Sequence, residues 1–200
     1  MKSMHQQAAN KRQSGFTLLE VLVVLAIIGG LLGMVTLNGS DQRIQKETEA
    51  FATALVVQMN MYRDTAVSQN TDIGLAMDRR ELLLLQWADV EQLAQSGTLS
   101  SEELGALAEN PWQAWSSQYV GTPKIPEGVY FQLMVDGEEV DFHELLNNDS
   151  GPMPALLFLS SEEYTAFELQ VATDADERFV VHVHGDGFNP VWKSLETFGG

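Results

Sequence analysis

Glu20 is the only charged side chain between Gly15 and Leu37, in a stretch that is otherwise apolar, small or Thr. An ionised carboxylate held in hydrocarbon costs on the order of a few kcal/mol, so an acid kept there is read as functional. Two other clusters could do chemistry. His182 and His184 sit two apart, hence on one face of a strand, with Asp186 close behind; a His-x-His pair can ligate zinc. His143 is distant in sequence and His5 lies in the N-terminal segment, so surface or half-buried strand histidines are expected instead. Asp174, Asp176 and Glu177 crowd oxygen ligands as calcium prefers, but the EF-hand spacing is absent, and a solvated acidic hairpin tip is expected. No nucleophile motif, phosphate-cradling glycine loop or cysteine site occurs. The expectation is a non-enzyme with no cofactor and no metal.

Met1–Gly15 carries Lys2, Lys11 and Arg12 and no acid, which holds that end in the cytoplasm. Phe16–Leu37 follows; at ~1.5 Å per residue it covers about 33 Å, the thickness of a bilayer's hydrocarbon core. An ordinary secretory signal would need an A-x-A-like cleavage site, and Gly29-Gly30-Leu31-Leu32-Gly33-Met34 offers none. A plain signal anchor leaves Glu20 unexplained. The run Ser14-Gly15-Phe16-Thr17-Leu18-Leu19-Glu20-Val21-Leu22-Val23-Val24-Leu25-Ala26-Ile27-Ile28-Gly29 resembles the class III signal of type IV pilins and type II secretion pseudopilins. The resemblance implies that a membrane prepilin peptidase cuts between Gly15 and Phe16 and N-methylates Phe16.

With that cut, Phe16 carries an ammonium just over one helical turn from Glu20, on nearly the same face. When such helices bundle away from water, a neighbour's ammonium can pair with Glu20 in low dielectric, where breaking one partner costs several kcal/mol. The acid then sets axial register and the apolar face supplies contact area. The plainer alternative is that Glu20 only reaches back to the cytoplasmic interface.

Composition bounds the rest. Two hundred residues allow an anchor and one globular domain. The formal charge is −17, and loss of the three leader bases takes the side-chain balance to −20. Such a surface repels phosphate backbones, so no nucleic-acid partner is expected. With the resemblance, three segments are expected: a cytoplasmic leader over 1–15 that is removed, a membrane and assembly half-helix over 16–38, and a periplasmic globular domain over 39–200 that includes the second half of the helix.

Past Gly39-Ser40-Asp41, Phe51, Leu55, Met59, Tyr62 and Ala66 recur at helical spacing, opposite Lys46, Glu47, Glu49, Gln58 and Asp64. One long helix is expected, its second half packed on a core. Asp72–Met77 and Glu81–Trp87 read as a hairpin around Asp78-Arg79-Arg80. Ala88–Asn110 is helix-prone, with Ser100 and Ser101 before Glu102-Glu103 as a cap signal. Pro111 to Pro126 reads as a loop in which Trp112 and Trp115 lid the core. Val129–Val135, the turn Asp136-Gly137 and a return over Glu138–Phe142 form a second hairpin. Ala155–Leu159, Tyr164–Ala172 and Phe179–His184 complete the strands, with Thr173–Glu177 joining the last two. The fold class is α+β: a long N-terminal helix on an antiparallel sheet domain, the pilin-like arrangement.

Ala66-Val67-Ser68-Gln69, Ile73–Met77 with its Leu-rich mate, Pro154–Leu159 leading to Ala166–Val171, and the ending Gly185-Asp186-Gly187 resemble one branch, the protein H minor pseudopilins, with the related FimU-type minor pilins. The family often places glycine between its two C-terminal strands, where this chain has Ser160-Ser161-Glu162-Glu163. The resemblance implies a subunit near the tip of a periplasmic pseudopilus. Its implied partners are the prepilin peptidase, the major pseudopilin, other minor pseudopilins of the tip complex and inner-membrane lipid. The resemblance extends this set to the outer-membrane secretin and secreted exoproteins as expected contacts. Alternatives are a minor type IV pilin acting in fibre initiation, and a membrane-anchored periplasmic binding module that is never cut. A metal hydrolase built on His182 and His184 is a further alternative.

Overall fold

The computed structural model describes residues 18–117, 119–143, 145–146, 148–176 and 179–197, with side chains described outside 31–41. It divides into two units, Met1–Ser40 and Asp41–Gly200. Helix α1 runs Leu18–Gln69. The apolar run expected to cross the membrane reaches beyond the described residues. Its described side chains are those from Leu18 to Gly30, and among the described residues no helix is long and apolar enough to cross a membrane.

Within Asp41–Gly200 the helical stripe is buried as its spacing requires. Phe51, Leu55, Met59, Tyr62 and Ala66 are all at most 4 % exposed. Phe51 stacks on Phe131 at 5.8 Å, and Tyr62 meets Phe158 edge-on at 5.6 Å. Such pairs add ~1 kcal/mol to the area they bury. The Tyr62 hydroxyl donates to the Gly121 carbonyl at 2.6 Å, and burial pushes its phenol up from the usual value.

Two antiparallel sheets, rather than one, receive this helix face. The first has the order β3-β2-β1-β6, with β1 Ile73–Met77, β2 Leu82–Trp87, β3 Trp112–Ala114 and β6 Leu156–Phe158. The second has the order β5-β4-β7-β8-β9, with β4 Val129–Val135, β5 Glu138–Glu139, β7 Phe167–Thr173, β8 Phe179–Gly185 and β9 Trp192–Thr197. β1 is buried on both faces: Ile73, Leu75 and Met77 join the main core, while Ala76 joins Leu85 and Trp112 in a second cluster on the other side. This is why its sequence shows no polar alternation. Gly74 lies between these layers, where a Cβ would stand 2.7 Å from Pro154 Cβ and 3.1 Å from the Trp112 ring.

Several expectations are corrected. The segment after Pro111 is not all loop: Trp112–Ala114 pairs with β2, and Trp112 is a buried member of the second cluster. Trp115 packs, partly buried, against the main one. The return after Asp136-Gly137 is two residues long instead of reaching Phe142; both turn residues have positive φ, as a two-residue hairpin turn requires. The helix-prone stretch splits into α2 Val90–Ser96 and α3 Ser101–Glu109, because Gly97 ends α2 at φ 65° and Ser100 starts α3 with a full capping box to Glu103. Tyr164 makes an isolated bridge to Phe158, so β7 starts only at Phe167, and Thr173 belongs to the strand, not the turn. In the glycine-free turn the left-handed position is taken by Glu162, at φ 76°. β9, over Trp192–Thr197, is an additional strand that no alternation in the sequence marks. It pairs with β8 along its whole length.

Candidate assembly site

Gly15 and Phe16 lie outside the described residues, so the site is visible from Leu18 onward. Glu20 falls in the first turn of α1, with its side chain exposed. An acid in a first turn also complements the positive end of the helix dipole. Around it Leu18, Leu19, Leu22 and Leu25 are 61–84 % exposed, and Val21, Val23, Val24, Ile27 and Ile28 are exposed as well. Burying one such side chain stabilises by roughly 1.5–3 kcal/mol, so this surface requires lipid or other helices around it. A monomer in water has neither.

Among the described residues, the side chains of the other two clusters are engaged by protein partners. His182 on β8 bridges its neighbouring strands: Nδ1 lies 2.9 Å from Glu168 Oε1 on β7, and Nε2 lies 3.0 Å from Glu196 Oε2 on β9, the latter without hydrogen-bond alignment. His184 Nε2 meets Ser194 Oγ at 2.8 Å, and its ring stacks between His182 and Trp192. The histidines are half-buried strand residues, as expected, and the two nitrogens of His182 face opposite ways rather than towards a shared ion. Asp174 is paired with Arg80 at 2.6 Å, and Asp176 accepts from Gln45 Nε2 at 2.8 Å. Glu177 lies outside the described residues.

Missed by sequence reasoning is the loop that seats β9 against α1. Asp186 accepts from the backbone N–H of Phe188 and Asn189 and from the Asn189 amide, at 2.8–3.0 Å. Asn60 on α1 donates to the Val191 carbonyl and accepts from its N–H. Arg63 donates to the Phe188 carbonyl at 2.6 Å and lies over the Tyr164 ring. The hydrogen bonds from Asn189, and then those from the two backbone N–H groups, hold the Asp186 carboxyl down at about 2 from its ordinary 3.8. A depressed carboxyl contributes stability that is fully present above its unfolded value and is lost as pH falls through its folded value. Wild type and Asp186→Asn should therefore differ in unfolding midpoint above pH ~4 and converge between pH ~4 and ~2. Denaturant titrations over that range check it, and a gap that stays constant with pH would rule out the carboxylate as its cause.

Comparison with known proteins adds to this geometry. Residues 10–36 match the prokaryotic N-terminal methylation motif. The chain is 26 % identical to type II secretion system protein H of Pseudomonas aeruginosa over 174 residues, covering 87 % of this chain and 91 % of that one. It is 30 % identical to type II secretion system core protein G of Vibrio cholerae over 135 residues, covering 64 % of this chain and 85 % of that one. This chain belongs to the type II secretion pseudopilin family. The crystal structure of the minor pseudopilin EpsH from Vibrio cholerae superposes with a TM-score of 0.50 at 22 % identity, over 78 % of this chain and 98 % of that one, and shares the fold. Pseudopilin membership gives the exposed apolar helix and its single acid a common setting: a membrane-anchored subunit that carries a processing motif.

Proposed function

We propose that this chain is a minor pseudopilin of the protein H type, a structural subunit of the type II secretion pseudopilus with no catalytic role of its own. It enters the inner membrane with its N-terminus cytoplasmic and its globular domain periplasmic. Prepilin peptidase cuts between Gly15 and Phe16 and methylates Phe16. The trimmed helix then leaves the bilayer for a bundle of similar helices, where Glu20 receives a neighbour's Phe16 ammonium. Its position is near the tip, between the major pseudopilin and the other minor pseudopilins, where it supports passage of folded exoproteins through the secretin.

The observation that carries this reading is the exposed apolar surface of Leu18–Ile28 with one carboxylate in its first turn, inside the N-terminal methylation motif. A plain membrane anchor has no use for that acid. The test is Gly15→Ala in cells that hold a working prepilin peptidase. The expected product keeps residues 1–15, while the wild type loses them. A variant trimmed to the same mature mass would refute the assigned cut.

A further inference from the structure

At the C-terminal end of α1 a cavity of about 600 Å³ is lined mostly by uncharged polar side chains, with Trp87, Ala88 and Leu93 as its apolar part. Four glutamines from four elements converge there: Gln69 ends α1, Gln86 lies on β2, Gln92 on α2 and Gln113 on β3. Asn70 joins them, at φ 50°, with Trp87 from the end of β2. Among the described residues the side chains of Gln69, Asn70 and Gln92 make no hydrogen bond, so their amides are available. The one acid in the lining, Asp89, is committed to capping α2 through the Gln92 N–H. In a chain with 28 acids and 11 bases, a cavity so depleted of charge does not suit an ionic ligand.

Each amide offers two donors and an acceptor with two lone pairs, which matches the alternating hydroxyls of a sugar. Trp87 is 46 % exposed, and an edge-on contact with Trp112 at 5.2 Å fixes its plane. A fixed, half-open indole beside convergent polar groups is a stacking platform for the C–H face of a pyranose ring. We propose that this cavity binds a neutral glycan chain, with Trp87 as its platform and Gln69 and Gln92 as its hydrogen-bonding arms. Such a ligand reaches a periplasmic subunit from two sources, an N-acetylated cell-wall glycan or an unmodified glucan.

The test uses the mature full chain in a zwitterionic detergent without sugar headgroups. Cellohexaose and chitohexaose are titrated separately, by calorimetry and indole fluorescence. At least one should bind saturably, and the one preferred distinguishes the two sources. Trp87→Ala, Gln69→Ala and Gln92→Ala should each weaken binding by about tenfold with an unchanged circular-dichroism spectrum. The two glutamine variants decide the matter if Trp87→Ala does not fold, since both sit on helix surfaces. Failure of both sugars to bind at ~10 mM, or binding that none of the variants alters, overturns the proposal and leaves a protein partner as the occupant.

Discussion

Glu20→Val should reach the membrane at the wild-type level, be trimmed normally, and fail to enter pseudopili. Valine is at home in lipid, so insertion becomes easier rather than harder. What it removes is the acceptor for a neighbour's N-terminal ammonium. In an assembled bundle that pair is shielded from water, and deleting one partner of a buried pair costs about 3–5 kcal/mol. At ~1.4 kcal/mol per tenfold, incorporation should fall by a factor of 100 or more. Glu20→Gln keeps the shape and some hydrogen bonding, and should fall between the two. Co-isolation with sheared pseudopili, normalised to membrane content, reads the effect. Incorporation of Glu20→Val at the wild-type level would mean that the acid only reaches back to the cytoplasmic interface.

Gly185→Val should unfold the globular domain far more easily than any surface change. Gly185 ends β8 opposite Phe167, and a Cβ there would stand 2.5 Å from Phe167 Cε1 and 2.6 Å from Tyr164 Cε2. Neither ring can move aside cheaply. Phe167 is 6 % exposed and belongs to the main core, while Tyr164 stacks on Phe158 and holds the Asn189 carbonyl through its hydroxyl. Overpacking of this kind costs on the order of 3 kcal/mol. With a urea slope of ~2 kcal/mol per M, the midpoint of the Asp41–Gly200 unit should drop by ~1.5 M. A drop below ~0.3 M would show that the rings repack without strain.

What could be read in advance depended on how locally each feature is encoded. The second half of α1 was legible because Phe51, Leu55, Met59, Tyr62 and Ala66 repeat at helical spacing and one face is buried. β1 and β2 were legible as short apolar runs around a polar turn. β9 was not: it is an edge strand whose Trp192, Ser194, Leu195 and Glu196 are all exposed, so no apolar alternation marks it. β3 was hidden because three residues after a proline form a strand only through long-range pairing with β2. The division into two sheets also escaped, since it rests on which strands pair across more than 70 residues, as β1 does with β6. Of the assembly site, Gly15, Phe16 and Glu20 stood out because they lie within one contiguous motif. The amide cavity gave no signal: Gln69, Gln86, Gln92 and Gln113 share no spacing, and only the fold brings them together.

The most direct test of the whole account is the mass of the N-terminal peptide of the protein isolated from cells with an active prepilin peptidase. The account predicts a chain that begins at Phe16 with one methyl group on its amine. A chain that still carries Met1–Gly15, or one that begins at an unmethylated residue elsewhere, would contradict it.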